Sequence, residues 1–351
     1  MKSTLTPDNY VHQLATETHR QFAFRAHTKA EFDAWQRMFR PHLRTMLGLD
    51  AIAGRGICDL RPRQMSEETL SDHVREAWII QTEPGFEIPF YLLWPLEIPA
   101  RPLPIVITPH GHGKAGKRTY AGLWDTEEER VSIVEGERDI ARQAVRQGYI
   151  AIVPDMRGFA GLRRWNEIKT DAVSSCRTMQ MHALLFGRTL IGERVWDVMR
   201  LIDYAETRPE MDTQHIAITG NSGGGTISLF AAACDPRINV TVPASYFCTF
   251  EASIGSVDHC ECNYIPGMMA TAEMYDVAGL IAPRPFLAVA GRDDPIFPYE
   301  GVTEAFEHLR HIYEVAGAPP EHCQLYTGEG GHRYYKAGVW PFVREMLTKL
   351  E

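Results

Sequence analysis

Hydrophobic and polar residues follow two different periods along the chain, and the change of period divides it into two parts. Residues 8–48 place apolar side chains at helical spacing, as in "FDAWQRMFRPHLRTMLGL", and Pro41 interrupts the run. This pattern predicts two or three N-terminal helices. From residue 71, "REAWIIQTEPGFEIPFYLLWP" contains two β-rich runs around a Pro-Gly pair, which predicts an antiparallel hairpin.

Beyond the hairpin, short β-branched runs alternate with segments of helical period. The predicted elements are a strand in "IVITPHGHG", a helix near 136–147, a strand at 149–155, a helix near 191–207, a strand at 215–220, a helix from 223, a strand at 285–291, a helix near 300–316, a strand near 322–327 and a helix near 338–350. This alternation favours an α/β fold whose twisted, mostly parallel sheet carries helices on both faces. The hairpin is expected at its antiparallel edge.

The predicted organisation is an N-terminal helical extension, residues 1–65, packed on one α/β domain, residues 66–351. Two stretches of that domain, 156–190 and 245–276, have no clear period and lie between strands and helices. Open α/β sheets hold their sites at the carboxyl ends of the strands, so these insertions are expected near the site.

Composition narrows the class of protein and of partner. The 351 residues are 44% hydrophobic and 23% charged, which is typical of a soluble globular protein. The net charge of −9 argues against nucleic acid or an anionic membrane as the main partner. The chain has no apolar run of bilayer length, and its start lacks a secretory pattern, so a cytoplasmic protein is expected; a sequence trimmed of its leader would look the same. Seven scattered cysteines favour reduced thiols. Self-association is left open.

The stretch "AITGNSGGGTISLF", residues 217–230, contains Gly-x-Ser-x-Gly between a predicted strand and a predicted helix. This is the pattern of a nucleophile elbow, in which a serine occupies a very tight turn and exposes its hydroxyl. Gly220 and Gly224 would leave the space that the turn needs, and the helix N-terminus favours developing negative charge. Ser222 is therefore the predicted nucleophile. The alternative is a glycine-rich connection with an idle serine.

A nucleophile elbow predicts an acid and then a histidine further along the chain. In "AVAGRDDPIFP", Asp294 lies three residues after Gly291 on the expected turn, and Asp293 is the alternative. His332 follows two glycines in a loop after a predicted strand. Ser222, Asp294 and His332 would then act as nucleophile, orienting carboxylate and general base.

Acyl transfer also requires hydrogen-bond donors to the oxyanion. The amide of Gly223 is the first candidate, and the amide of His112, in the His-Gly-x-Gly of 110–113, is the second. The side chains of His110 and His112 are a poor zinc signal without nearby carboxylates. "DHCECNY", residues 258–264, offers Cys-x-Cys and one histidine but lacks a clear fourth ligand. No metal and no cofactor is therefore expected.

Several polar and aromatic residues near the expected site are candidates for substrate contact. Arginines at 157, 188 and 284 could bind a carboxylate, although structural roles are favoured, and Arg194 is expected to pair with Asp197. The substrate-binding candidates are His110, Arg188, Trp124, Tyr246 and Tyr264. Aromatic packing in the core is an equal alternative for the last three.

The chain resembles bacterial α/β-hydrolases of the dienelactone hydrolase and acetyl xylan esterase-like group over residues 100–335. The matching stretches are "HGHG" (110–113), "DMRGFAGLR" (155–163), "GRTLIGERVWDVMRLIDYAETRPEMD" (187–212), "GNSGGG" (220–225), "HCECNYIPGM" (259–268), "LIAPRPFL" (280–287), "DPIFP" (294–298) and "GGH" (330–332). The resemblance implies the α/β-hydrolase fold and a Ser-His-Asp carboxylic ester hydrolase without cofactor.

The expected function is therefore hydrolysis of small-molecule carboxylic esters, with short acyl or acetyl esters, sugar esters among them, as the substrate class. A prolyl oligopeptidase-type peptidase shares the elbow and the order of the three residues. A ligand-binding α/β-hydrolase fold without catalysis is the third alternative.

Overall fold

A central sheet of nine strands organises the chain in the computed structural model, which describes residues 10–97, 99 and 101–350. The strands are β1 (Arg63–Thr69), β2 (Val74–Glu83), β3 (Phe86–Trp94), β4 (Leu103–Ile107), β5 (Ile150–Pro154), β6 (Met211–Asn221), β7 (Val240–Ala244), β8 (Phe286–Gly291) and β9 (Cys323–Gly328). Their order across the sheet is β1-β2-β3-β5-β4-β6-β7-β8-β9.

Fourteen α-helices surround the sheet in the described part of the chain. They are α1 (Tyr10–Glu17), α2 (Lys29–Leu47), α3 (Leu49–Ala53), α4 (Lys117–Tyr120), α5 (Glu127–Glu135), α6 (Ile140–Arg146), α7 (Trp165–Lys169), α8 (Cys176–Leu185), α9 (Leu190–Ala205), α10 (Gly223–Cys234), α11 (Met268–Thr271), α12 (Met274–Gly279), α13 (Tyr299–Val315) and α14 (Lys336–Leu350). None of them combines the length and apolarity needed to cross a membrane.

The sheet is parallel from β5 through β9 and antiparallel at the edge formed by β1, β2 and β3. The predicted α/β class and its antiparallel hairpin are therefore confirmed. Two strands were not predicted. Strand β1, "RQMSEET", is fully exposed and carries no apolar alternation, and β7, "VTVPA", contains a proline inside a buried strand, which argues against a strand in the sequence.

Helices cover both faces of the central strands. Alternate residues of each strand point to opposite faces and so enter different cores. On β4, Ile105 and Ile107 pack into a core with α2, α9, α10, α12 and α13, whereas Val106 packs into a second core with α6 and α14. The central parallel strands are therefore continuous apolar runs, as expected for a sheet covered on both sides.

The predicted break at Pro41 is wrong, because α2 runs through it from Lys29 to Leu47. Pro41 lies on the exposed side of the helix, while the opposite side buries apolar residues before and after it: Phe32, Trp35, Phe39, Leu43 and Leu47. The packing of this face offsets the missing backbone hydrogen bond of the proline.

Helix α2 of the N-terminal extension packs directly on the α/β core. Arg40 of α2 donates to the carbonyl oxygens of Ala233 (3.0 Å) and Leu280 (2.6 Å), and Arg44 donates to that of Cys234 (3.1 Å). The predicted boundary at residue 65 falls within β1. The division into an extension and one domain stays a prediction. Of the two insertions, 156–190 contains α7 and α8, and 245–276 contains α11 and the start of α12.

Pro41→Ala is expected to raise the free energy of unfolding by about 2 kcal/mol, since it restores a helical hydrogen bond and costs only some unfolded-state entropy. Urea denaturation followed by circular dichroism measures the change. Arg37→Ala, at another exposed position of α2, is the control and should shift stability by less than about 0.5 kcal/mol. A loss of stability in Pro41→Ala would contradict this account of α2.

Candidate active site

Ser222 occupies the turn between β6 and α10 in a strained backbone conformation, with φ 57° and ψ −118°. A side chain at Gly220 or Gly224 would collide with the backbone, because a Cβ atom there would lie 2.4 Å or 2.2 Å from the carbonyl oxygen of Pro109. The two glycines thus provide the close approach that the sequence pattern predicted.

Asp294 and His332 form a hydrogen-bonded pair at the same edge of the sheet. Nδ1 of His332 lies 2.8 Å from Oδ2 of Asp294, to which it donates. The other carboxylate oxygen accepts backbone N–H groups from Ile296 (2.9 Å) and Phe297 (3.2 Å). Asp294 is 5% exposed, and the His332 ring stacks on Phe297. The carboxylate is therefore held in one orientation toward the imidazole.

The loops that carry these two residues are joined through their backbones. The amide of Asp293 donates to the carbonyl oxygen of Gly330 (2.9 Å). A Cβ atom at Gly291 would lie 2.2 Å from the carbonyl oxygen of Gly331, so the glycines allow the loops to touch. Asp293 itself is exposed. The geometry thus brings Asp294, and not Asp293, to the histidine.

A cleft of about 670 Å³ joins the predicted nucleophile, base and oxyanion donors. Ser222, Gly223, His112 and His332 all line it. The His112 ring lies against Gly223, where an added Cβ would be 2.8 Å from Nδ1. The two predicted oxyanion donors therefore belong to neighbouring segments beside Ser222.

Two of the five substrate-binding candidates, Tyr246 and His110, line this cleft. Tyr246 is buried, with its ring packed edge-on against Phe297. His110 has its Nδ1 2.7 Å from the carbonyl oxygen of Gly111, while its Nε2 accepts the amide of Met156 at 3.0 Å. Burial lowers the pKa of His110 to about 4, so the ring is neutral. His110 thus supports the loop through both ring nitrogens, and its contact with a substrate stays a prediction.

The other three candidates lie outside the cleft. Arg188 pairs with Glu83 (3.0 Å) and Glu193 (3.4 Å) in a separate depression. Trp124 is 41% exposed and Tyr264 is 45% exposed, and neither lines the cleft. The contacts of these three residues with a substrate therefore stay predictions that the cleft does not support.

The cleft wall also contains charged residues that the sequence analysis missed. They are Lys114, Glu128, Glu129, Arg138 and Asp258. All but the last belong to the connection between β4 and α6, and the start of that connection at the carboxyl edge of the sheet was the available signal.

The buried Arg157 has the structural role that the sequence favoured, whereas Arg194 has partners other than the expected one. Arg157 binds Asp197 through two hydrogen bonds of 2.7 and 2.8 Å and Glu83 through one of 2.7 Å, which makes it a structural tether. Arg194 does not pair with Asp197. It donates to the carbonyl oxygen of Arg157 (2.7 Å) and to Sγ of Cys176 (3.1 Å).

A second group of polar atoms borders the cleft. It consists of four ligand atoms that lie within 4.8 Å of one another: one ring nitrogen of His112 and the Sγ atoms of Cys176, Cys260 and Cys262. The sequence argument against a metal relied on a missing fourth ligand, and this argument is wrong, because the fold adds both His112 and Cys176. His259 of the same motif is not in the group and binds Ser253 instead (2.9 Å).

Comparison with known proteins identifies the family. A family model described as "Abhydrolase family" matches residues 3–333, nearly the whole chain. The chain belongs to the Abhydrolase family. This membership and the sheet topology confirm the resemblance to α/β-hydrolases, while the dienelactone hydrolase-like subgroup remains a prediction.

Three relatives of this Abhydrolase-family chain cover different parts of it. A Bacillus subtilis (strain 168) protein named "Putative hydrolase YtaP" is 27% identical over 269 residues, 73% of this chain and 83% of the relative. A "4-O-methyl-glucuronoyl methylesterase 1" of Wolfiporia cocos (strain MD-104) is 26% identical over 171 residues, 40% of this chain and 41% of the relative. The crystal structure of a putative acetyl xylan esterase from Bacteroides fragilis NCTC 9343 has a TM-score of 0.77 at 18% identity, covering 97% of this chain and 84% of that one.

Asp294→Asn and Asp293→Asn should separate the buried carboxylate from the exposed one. Asp294→Asn removes the acceptor of the His332 Nδ1–H and should lower kcat on a p-nitrophenyl ester by roughly 10⁴-fold. Asp293→Asn is the matched control and should remain within a few-fold of the original chain. A larger loss at Asp293 would overturn the assignment of the orienting carboxylate.

Proposed function

We propose that this protein is a serine hydrolase of carboxylic esters, with Ser222 as nucleophile, His332 as general base and Asp294 as the carboxylate that orients it. The observation that carries the proposal is that a strained serine turn and the imidazole of His332, which the buried Asp294 carboxylate holds, line one cleft. A binding protein gains nothing from holding a serine in a strained conformation beside such a pair.

The geometry supports an acyl-enzyme mechanism. With Nδ1 donating to Asp294, Nε2 of His332 is the atom that takes the Ser222 proton as Oγ attacks the ester carbonyl. The amides of Gly223 and His112 stabilise the oxyanion, and each such donor is worth roughly 3 kcal/mol in the transition state. His332 then protonates the leaving alcohol, and a water that it deprotonates releases the acid.

The proposed substrates are small esters with short acyl groups, acetylated sugars among them. The cleft of about 670 Å³ has room for a molecule of moderate size, and the charged residues on its wall offer hydrogen-bond partners to sugar hydroxyls. The name of the Bacteroides fragilis neighbour agrees with this class.

The seven cysteines form no disulfide, which fits a reducing compartment such as the cytoplasm as the proposed location.

A second candidate is the methyl ester of a sugar acid. The observation that favours it is the match to the Wolfiporia cocos methylesterase, whose name places the carbohydrate on the acid side of the ester and methanol on the alcohol side. The two candidates use the same mechanism and differ in which half of the substrate fills the cleft.

Ser222→Ala is expected to reduce hydrolysis of p-nitrophenyl acetate by about 10⁴-fold or more while the fold is retained, because the nucleophile is lost and the backbone is not. Stopped assays with circular dichroism on the same samples measure both properties. Ser256→Ala, at an exposed serine, is the control. Unchanged turnover in Ser222→Ala would contradict the proposed nucleophile.

A panel of an acetylated sugar, a sugar-acid methyl ester and a peptide amide distinguishes the candidates. The proposal predicts that the acetylated sugar has the highest kcat/KM. Preference for the methyl ester selects the second candidate. Hydrolysis of the amide alone would contradict both and indicate a peptidase.

A further inference from the structure

Four atoms of the kinds that ligate zinc, three sulfurs and one imidazole nitrogen, converge beside the proposed active site from three separated parts of the chain. His112 follows β4, Cys176 begins α8, and Cys260 and Cys262 come from the 245–276 insertion. Cys176 and Cys262 are buried, whereas His112 and Cys260 are at least partly exposed. Since these residues are far apart in sequence, the fold alone creates the group.

The distances fit one tetrahedral ion. A zinc ion with Zn–S bonds of about 2.3 Å and a Zn–N bond of about 2.0 Å spaces sulfur from nitrogen by about 3.5 Å and sulfur from sulfur by about 3.8 Å. Sγ of Cys262 lies 3.6 Å from Nε2 of His112 and 3.4 Å from Sγ of Cys260. These two distances lie close to the tetrahedral values, and the other pairs of ligand atoms lie within 4.8 Å of one another.

The neighbouring charge also fits this ion. Arg194 is 1% exposed. Its guanidinium donates to Sγ of Cys176 and to the carbonyl oxygen of Arg157, and within the described part of the chain it forms no ion pair with a carboxylate. A buried cation requires a compensating charge. Three thiolates and one Zn²⁺ carry a net charge of −1, which Arg194 neutralises. Cys176 also lies at the N-terminus of a ten-residue helix, a position that favours a thiolate.

We propose that His112, Cys176, Cys260 and Cys262 bind one zinc ion. Three sulfurs and one nitrogen complete a four-coordinate shell, which is typical of a structural site and leaves no position for a hydrolytic water. The ion joins the loop after β4 to α8 and to the 245–276 insertion. Since His112 belongs to the loop after β4, the ion also fixes the amide of His112, the proposed second oxyanion donor. This effect on catalysis depends on the proposed function, whereas zinc binding itself does not.

Metal analysis of the untagged protein, purified under reducing conditions without chelators, tests the proposal directly. Inductively coupled plasma mass spectrometry should give about one zinc per chain. The thiol reagent p-hydroxymercuribenzoate should release that zinc as it modifies the cysteines. Cys260→Ser should lose most of the zinc. Cys58→Ser, which removes a cysteine outside the group, is the matched control and should keep it.

Cobalt substitution provides a readout that does not require the variants to fold. The original chain, stripped of metal and reduced, should bind one Co²⁺ with the thiolate charge-transfer absorption of a tetrahedral site. The absence of both zinc and cobalt binding would overturn the proposal, as would a disulfide among the three cysteines in protein purified under reducing conditions. Neither readout measures ester hydrolysis, so failure here is distinguishable from failure of the proposed function.

Discussion

The close contact between the serine turn and the carbonyl oxygen of Pro109 is the constraint on which the site depends. The chain can pass from β6 into α10 this sharply only because Gly220 and Gly224 have no side chain at the contact. The same contact fixes the end of β4 against the elbow, so the loop that follows β4 begins beside Ser222. The strain at Ser222 is sustained by buried packing on both faces of the sheet.

The remaining parts of the site follow from the parallel sheet. Because β4, β6, β8 and β9 are parallel, the loops after them leave the sheet at one edge. There the proposed oxyanion loop, the proposed nucleophile and His332 line one cleft, and Asp294 is hydrogen-bonded to His332. Glycines again permit the contact between the last two loops. A buried carboxylate with two backbone donors then orients the imidazole, while the N-terminus of α10 lies beside the position where negative charge develops.

Sequence reasoning succeeded where a residue's position depends on local geometry and failed where it depends on distant packing. The elbow, the hairpin and the order of Asp294 and His332 follow from short-range patterns, and the structure brings these residues together. Pro41 within α2, the proline-containing strand β7 and the polar strand β1 contradict local propensity, because tertiary packing or edge pairing decides them. The charged residues of the cleft wall and the cysteine–histidine group were missed because segments far apart in sequence bring them together.

The most direct test of the account is covalent labelling with a fluorophosphonate, followed by peptide mass spectrometry. The reagent requires a serine activated by a neighbouring base. The account predicts a single phosphonyl group on the peptide that contains Ser222, and loss of labelling in His332→Ala. A label on another residue, or active protein that stays unlabelled, would contradict the assignment of Ser222 as the nucleophile.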